Sequence, residues 1–270
     1  MRGVSGHSAG RDRNRISLTP VSPVTVGGRE LETMEIPGDP GRRPLVLLHE
    51  GLGSVGLWRG FPRQLGEATG RRVITYSRFG HGRSPAPATP RTREFFHEEA
   101  FDVLPQVLAQ SDAAEPILVG HSDGGSIALI HAGHRPVCGL VLIAAHVFVE
   151  EVSLSAIADA RRAFTDDGLR ERMARHHDDP DAAFRGWSDV WLDPGFVTWD
   201  LGADAAGVTA PTLVIQGRED AYGTLAQVQR IADSIGDSVT TLVLPGGHSP
   251  HLERPEDVVQ AITEFAAPLP

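Results

Sequence analysis

The run Ile117-Leu118-Val119-Gly120-His121-Ser122-Asp123-Gly124-Gly125-Ser126-Ile127-Ala128 leaves a folding chain few options. A short apolar stretch ends in Gly-His-Ser-Asp-Gly-Gly, and a helical pattern of small residues begins at once. That is the arrangement of a nucleophile elbow: the strand stops, the chain turns sharply, and a serine is left at the tip beside a helix N-terminus. Gly120 and Gly124 are needed there, because the serine backbone is strained and side chains on either side would collide. Gly-x-Ser-x-Gly also arises by chance. Its weight depends on a strand before it, a helix after it, and an acid and a histidine further on, in that order.

At 270 residues the chain can hold one large α/β domain with an insertion, or two small domains. Its net charge of -10 argues against a general binder of nucleic acid, which needs a basic face. With a single cysteine, Cys138, no intramolecular disulfide and no cysteine-rich zinc site can form. Cys138 opens the apolar run Gly139-Leu140-Val141-Leu142-Ile143 and reads as a buried structural thiol. No apolar run approaches the ~18 residues that would suggest a membrane span. The arginine-rich first fifteen residues lack the apolar core of a secretory signal, so residues 1–22 are expected to form a disordered tail and the protein to be cytoplasmic.

Residues 30–36 alternate polar and apolar, as a strand with one wet face does. Residues 44–49 form a buried parallel strand that runs into the loop Glu50-Gly51-Leu52-Gly53-Ser54, and a helix is expected over 57–68. The strand 72–77 leads into Arg78-Phe79-Gly80-His81-Gly82-Arg83-Ser84, and a helix over 93–110 carries Pro105, which kinks or splits it. The elbow strand, its helix and a strand over 139–145 continue this alternation, which implies a mostly parallel sheet with helices on both faces. The character then changes. Residues 147–202 hold no strong strand but three charged helical stretches, 154–164, 168–177 and 181–191, and three of the four tryptophans, Trp187, Trp191 and Trp199. The α/β rhythm resumes with strands over 211–216 and 239–244 and helices near 225–235 and 255–265. A helical insertion over 147–202 thus divides a core made of 23–146 and 203–270.

A serine hydroxyl needs a base within hydrogen-bond reach, itself oriented by a third group. Two later loops at predicted strand ends offer them: Gln216-Gly217-Arg218-Glu219-Asp220, and Pro245-Gly246-Gly247-His248-Ser249-Pro250-His251. Sites in open α/β sheets lie at the carboxyl ends of strands, so these loops share one edge with Ser122. With these loops and the two glycine-rich loops at 48–54 and 76–84, the chain from about Val26 onward resembles the α/β-hydrolase superfamily. The resemblance implies an α/β-hydrolase fold with a helical cap over 147–202, no cofactor and no metal. It makes Ser122 the nucleophile, His248 the general base and then acid, and Asp220 the orienting acid. His251 and Glu219 are the rivals; Gly-Gly-His and the position of Asp220 in its motif favour the first pair. The family's oxyanion hole uses the N–H of the residue after the nucleophile, here Asp123, and one from the loop after residue 49. Because Glu50 interrupts the usual His-Gly-x-Gly form, that second donor is Leu52 or Gly51.

Serine at the elbow, where aspartate would attack carbon, points to acyl transfer to water: hydrolysis of a small-molecule ester, lactone or amino-acid ester. Trp187, Trp191 and Trp199 either line an apolar substrate site or pin the cap to the core. Ser-Asp-Gly-Gly is similar to the valacyclovir-hydrolase-like (biphenyl-hydrolase-like) branch, where the aspartate can hold a substrate ammonium. Asp123 and Glu50 would then prefer a cationic ester; otherwise Asp123 caps the following helix. A carbon–carbon bond hydrolase with the same triad and a non-catalytic binding protein on this fold are the alternatives. The partner expected is a small-molecule substrate, not nucleic acid or membrane, and a homo-oligomer is compatible with the sequence. His177-Asp178-Asp179 reads as a solvated helix end, and His49, His81 and His121 as structural or solvent-facing.

Overall fold

Six apolar runs and one amphipathic strand assemble into a seven-stranded sheet in the computed structural model, which describes residues 23–270. The tail expected over 1–22 lies outside the described residues. The sheet strands are β3 (Thr33–Ile36), β4 (Leu45–Leu48), β5 (Val73–Tyr76), β6 (Ile117–His121), β7 (Gly139–Ile143), β8 (Thr212–Gly217) and β9 (Val239–Leu244). They lie in the order β3-β5-β4-β6-β7-β8-β9, and every pairing is parallel except that of β3 with β5. A separate hairpin, β1 (Val24–Val26) and β2 (Arg29–Leu31), turns through Gly27 and Gly28, both at positive φ.

Each strand's pleat feeds two cores, as alternation across a sheet requires. Leu45, Leu47, Val119, Val141 and Ile143 pack with Phe61 and Leu65 of α1 (Phe61–Thr69) and with Val258 and Ile262 of α11 (Pro255–Ala266). Val46, Leu48, Leu118, Leu140 and Leu142 pack on the other side with α4 (Asp123–His134) and the helices around it. Each fully buried leucine contributes about 1.5–3 kcal/mol relative to an exposed one, so continuous apolar runs on both faces commit these strands to the middle of the molecule. The remaining helices are α2 (Phe95–Glu98), α3 (Leu104–Gln110), α5 (Glu151–Asp166), α6 (Leu169–Met173), α7 (Pro180–Trp191), α8 (Gly202–Ala206), α9 (Leu225–Ile235) and α10 (Pro250–Glu253). Helices α5 to α8 and a 3-10 turn at Pro194–Thr198 fill the interval between β7 and β8.

Four expected elements differ in detail. The strand over 30–36 is divided at Glu32, whose N–H donates to Ser84 Oγ and whose carboxylate accepts from Ser77 Oγ and Arg83 N. Those bonds hold Glu32 to the loop after β5, so β2 stays with its hairpin and β3 joins the sheet. The helix over 57–68 starts as a 3-10 turn at Val55–Trp58 and restarts at Phe61, because Arg59 takes a φ of 53°. The helix over 93–110 contains a π-turn at Glu99–Val103 immediately before Pro105. Proline lacks an N–H and crowds the carbonyl four residues back, and the wider turn relieves both. The helix over 168–177 stops at Met173, and His177 is turned inward to bond the loops after β4 and β5.

Candidate active site

Strand β6 delivers Ser122 at φ 51° and ψ -121°, outside the ordinary regions for a residue with a side chain. Glycines make the turn feasible: a Cβ at Gly120 would strike the backbone of Gly124 and Gly125, and one at Gly124 would strike the carbonyls of Leu48 and His49. The Ser122 N–H donates to Ile143 O at 2.9 Å, and its carbonyl accepts from Gly125 N at 2.8 Å. The hydroxyl thereby stands at the carboxyl edge of the sheet, beside the loops that follow β4, β8 and β9.

His248 Nε2 lies 2.9 Å from Ser122 Oγ, and His248 Nδ1 lies 2.9 and 2.8 Å from the two oxygens of Asp220. Because the carboxylate only accepts, Nδ1 carries the proton and Nε2 is left to accept from the serine. Asp220 also accepts from Tyr222 N at 2.8 Å and Gln216 Nε2 at 2.7 Å, which aim it at the imidazole. The rivals are elsewhere. His251 packs its ring against Trp58 and Phe61, and Glu219 accepts from Gly246 N.

Beside this chain is a cavity of about 170 Å³. Glu50, Gly51, Leu52 and Asp123 line one part of it; Trp187, Trp191 and Ile157 supply apolar walls; His146, Ser153 and Tyr222 complete it. Among the described residues the N–H groups of Gly51, Leu52 and Asp123 donate to no protein acceptor, whereas the carbonyls of residues 49 to 52 are engaged. Arg78 donates to the carbonyls of His49 and Glu50, His81 Nε2 to Gly51 O at 2.9 Å, and His177 Nε2 to Leu52 O at 3.0 Å. In a trans peptide the N–H of the following residue points opposite the carbonyl, so the bonds on Glu50 O and Gly51 O turn the Gly51 and Leu52 N–H groups the other way. Leu52 O shares its plane with the Gly53 N–H, which donates to Glu50 O at 3.1 Å. Asp123 does not cap α4 with its side chain: Oδ1 accepts from Trp191 Nε1 at 3.1 Å, and Oδ2 has no protein partner. Glu50 Oε2 lies 3.5 Å from His121 Nδ1, and His121 Nε2 donates to His248 O at 2.7 Å. Trp199 does not line the cavity; it stacks on Phe196 and packs at a tilt against Phe96. His146, Ser153, Ile157 and Tyr222 escaped sequence reasoning, since no local pattern distinguishes them; Arg78 and His177 stood in view without a partner to suggest a role.

A model of the alpha/beta hydrolase family matches residues 45–261. A Variovorax paradoxus (strain S110) protein named as the carbamate hydrolase RutD is 32% identical over 248 residues, covering 82% of this chain and 91% of its own. The mouse (Mus musculus) sn-1-specific diacylglycerol lipase ABHD11 is 24% identical over 308 residues, covering 98% of this chain and 96% of its own. Among solved structures, the enol-lactonase from Burkholderia xenovorans LB400 superposes with a TM-score of 0.71 at 23% identity, over 90% of this chain and 98% of that one.

Electrostatically the site is built on neutral histidines. Burial holds His49, His81, His131, His146, His177, His248 and His251 below their usual range, His146 at about 4. For Asp220 burial pulls upward, but the hydrogen bond and charge of His248 outweigh it and hold the carboxyl below its usual value. Burial likewise opposes ionisation of Glu50, yet His121 brings it down to about 2. Asp123 moves the other way, raised by burial to about 6 against the pull of Arg78 and Trp191. A histidine that stays neutral when folded but ionises when unfolded lets the unfolded chain bind more protons as pH drops. Stability is then full above 6.5 and lost as pH falls from 6.5 towards 4, by up to about 1.4 kcal/mol per pH unit for each such group. Asp123 and Glu99, both raised by burial, work in the opposite sense but are two against seven. The melting temperature is therefore expected to decline steadily from pH 7 to pH 5 in scanning calorimetry, and a flat profile would contradict a set of buried neutral histidines.

Proposed function

The chain belongs to the alpha/beta hydrolase family, and from that membership we propose that it is a serine hydrolase that cleaves a small-molecule ester, lactone or amino-acid ester through an acyl-enzyme. The observation that carries this reading is the unbroken chain Asp220–His248–Ser122, with contacts of 2.8 and 2.9 Å, opening on a cavity that free N–H groups also face.

On this reading His248 takes the Ser122 proton as the hydroxyl attacks the acyl carbon, while Asp220 holds the ring in its tautomer and stabilises the imidazolium. The negative oxygen of the tetrahedral intermediate is received by the N–H of Asp123 and by that of Leu52 or Gly51. One such donor is typically worth ~2.7–4 kcal/mol of transition-state stabilisation. Collapse expels the alcohol, which takes the proton from His248. Water then enters and gives a proton to His248 as it attacks the acyl carbon, and the second tetrahedral intermediate expels Ser122 Oγ, which takes that proton back as the acid leaves. The helices over 147–202 serve as a cap, with Trp187 and Trp191 packing on the substrate. A cavity of about 170 Å³ is close to the ~150 Å³ that holds a benzene ring, so the buried half of the substrate is of that size. Carbamates are attacked at an acyl carbon in the same way, and the relative named for carbamate hydrolysis gives them a place in the substrate panel.

A second reading concerns Asp123. Its Oδ2 is buried without a partner, and an ammonium on the substrate would supply one, favouring amino-acid esters. Wild type is then expected to hydrolyse an amino-acid ester with kcat/KM more than about threefold above its des-amino analogue, and Asp123→Asn to lose that preference. Equal rates in wild type, or a preference retained in the variant, would reject the ammonium site and leave the esterase reading standing.

The main reading is tested by a fluorophosphonate probe, which should label the folded wild type and not Ser122→Ala. An unlabelled, folded wild type would refute it. Because burial lowers the His248 pKa and only the neutral ring can accept the serine proton, kcat/KM should hold at neutral pH. It should fall on acidification with a midpoint below 6.5, as a pH–rate profile would show.

A further inference from the structure

Three side chains from the helices between β7 and β8 reach the three residues whose N–H groups face the cavity. Trp187 lies against Gly51 so closely that a Cβ there would collide with the indole. Trp191 holds the Asp123 carboxylate, and His177 donates to the Leu52 carbonyl. Of the three, His177 does not line the cavity. Whatever it does for the reaction is done through Leu52.

Its ring has one tautomer available. His177 Nδ1 accepts the N–H of Gly82 at 3.0 Å, so the proton must sit on Nε2, where it points at Leu52 O. His81 Nε2 likewise lies 2.9 Å from Gly51 O, while its Nδ1 is 3.1 Å from Phe79 O and 3.3 Å from Arg91. The two imidazoles therefore grip consecutive peptide planes, one before Leu52 and one after it. Peptide planarity converts the first grip into a direction for the Leu52 N–H and the second into a direction for the Gly53 N–H, which donates to Glu50 O at 3.1 Å and so closes the turn that carries Leu52. The first grip comes from the sheet's own loop after β5. The second comes from the inserted helical segment, and both ring nitrogens of His177 are used in making it.

We infer that His177 is a positioning residue for the oxyanion loop, clamping the peptide after Leu52 so that the reaction rate depends on how the inserted helices are seated. This rests on the serine-hydrolase reading and goes beyond it: it ties a residue outside the cavity to the chemical step. Interactions realised only in the transition state act on kcat and leave KM largely unchanged, and that signature separates this role from substrate contact.

Hydrolysis of p-nitrophenyl acetate and the rate of phosphonylation by a fluorophosphonate are compared in wild type, His177→Asn, His177→Phe and His177→Gln. Asparagine is too short to reach Leu52 O, phenylalanine keeps the ring volume without a donor, and glutamine can restore a donor near the Nε2 position. In both donor-less variants kcat and the phosphonylation rate are expected to fall by roughly tenfold or more, with KM within about threefold, since small displacements of a catalytic group cost that much or more. His177→Gln should recover to within about threefold of wild type. The inference is overturned if a donor-less variant, folded by circular dichroism, keeps kcat within twofold, if the loss falls on KM alone, if glutamine is as slow as phenylalanine, or if neither donor-less variant folds. A wild type that is not labelled would remove the serine-hydrolase reading itself, whereas a labelled wild type with an unaffected His177→Asn removes only the role of His177.

Discussion

A serine held at φ 51° is the constraint on which the rest of this molecule turns. Left-handed backbone at a residue with a side chain costs about 1–3 kcal/mol and persists only where its surroundings over-determine it. Here they do. Ser122 is tied by its N–H to β7 and by its carbonyl to the first turn of α4, and Gly120, Gly124 and Gly125 let strand, helix and neighbouring loop close to distances no side chain would allow. The turn places the hydroxyl at the edge of the sheet instead of within it. Parallel pairing of β4, β6, β7, β8 and β9 then brings every loop that meets Ser122 to that same edge.

The polar machinery around the turn works by hydrogen-bond direction more than by charge. His49 and His177, beside the loop after β4, each have one ring nitrogen accepting and the other donating, which locks the tautomer and with it the orientation of the peptide it touches. Desolvation makes protonation of these rings unfavourable, so the arrangement is stable at neutral pH. Charge is concentrated where it orients something: Asp220 on His248, Glu50 beside His121, and Arg78 on two carbonyls of the loop.

Much of this was legible in the sequence. Apolar runs with turn residues at their ends mark β4 to β9, and the fold class follows from their alternation with helices. Ser122, His248 and Asp220 were reachable because each stands in a short motif just past a strand, where geometry leaves little freedom. The division of residues 30–36 was not legible, since it depends on Glu32 bonding to Ser77, Ser84 and Arg83, about fifty positions away. The cavity walls were equally silent. His146, Ser153 and Tyr222 meet only after β7, α5 and the loop after β8 are in place, and nothing local in their sequence anticipates it. His177 looked like the solvated end of a helix; it is buried because Leu52 and Gly82 supply partners from two distant loops.

The helical segment leaves the sheet after β7 and returns at β8, two strands that pair directly with each other. Its feet are therefore closed by a continuous ladder, and the sheet places no restriction on how long or how varied the stretch between them becomes. Such a stretch is a natural module for exchange between related chains. In this one, however, the module also carries the indole that holds Asp123 and the imidazole that holds Leu52. A graft that kept the sheet and replaced the helices would take away two supports of the loops around Ser122 along with the cavity wall. Lineages that diversify here must therefore change the shape of the cavity and the support of its reactive edge as a single unit.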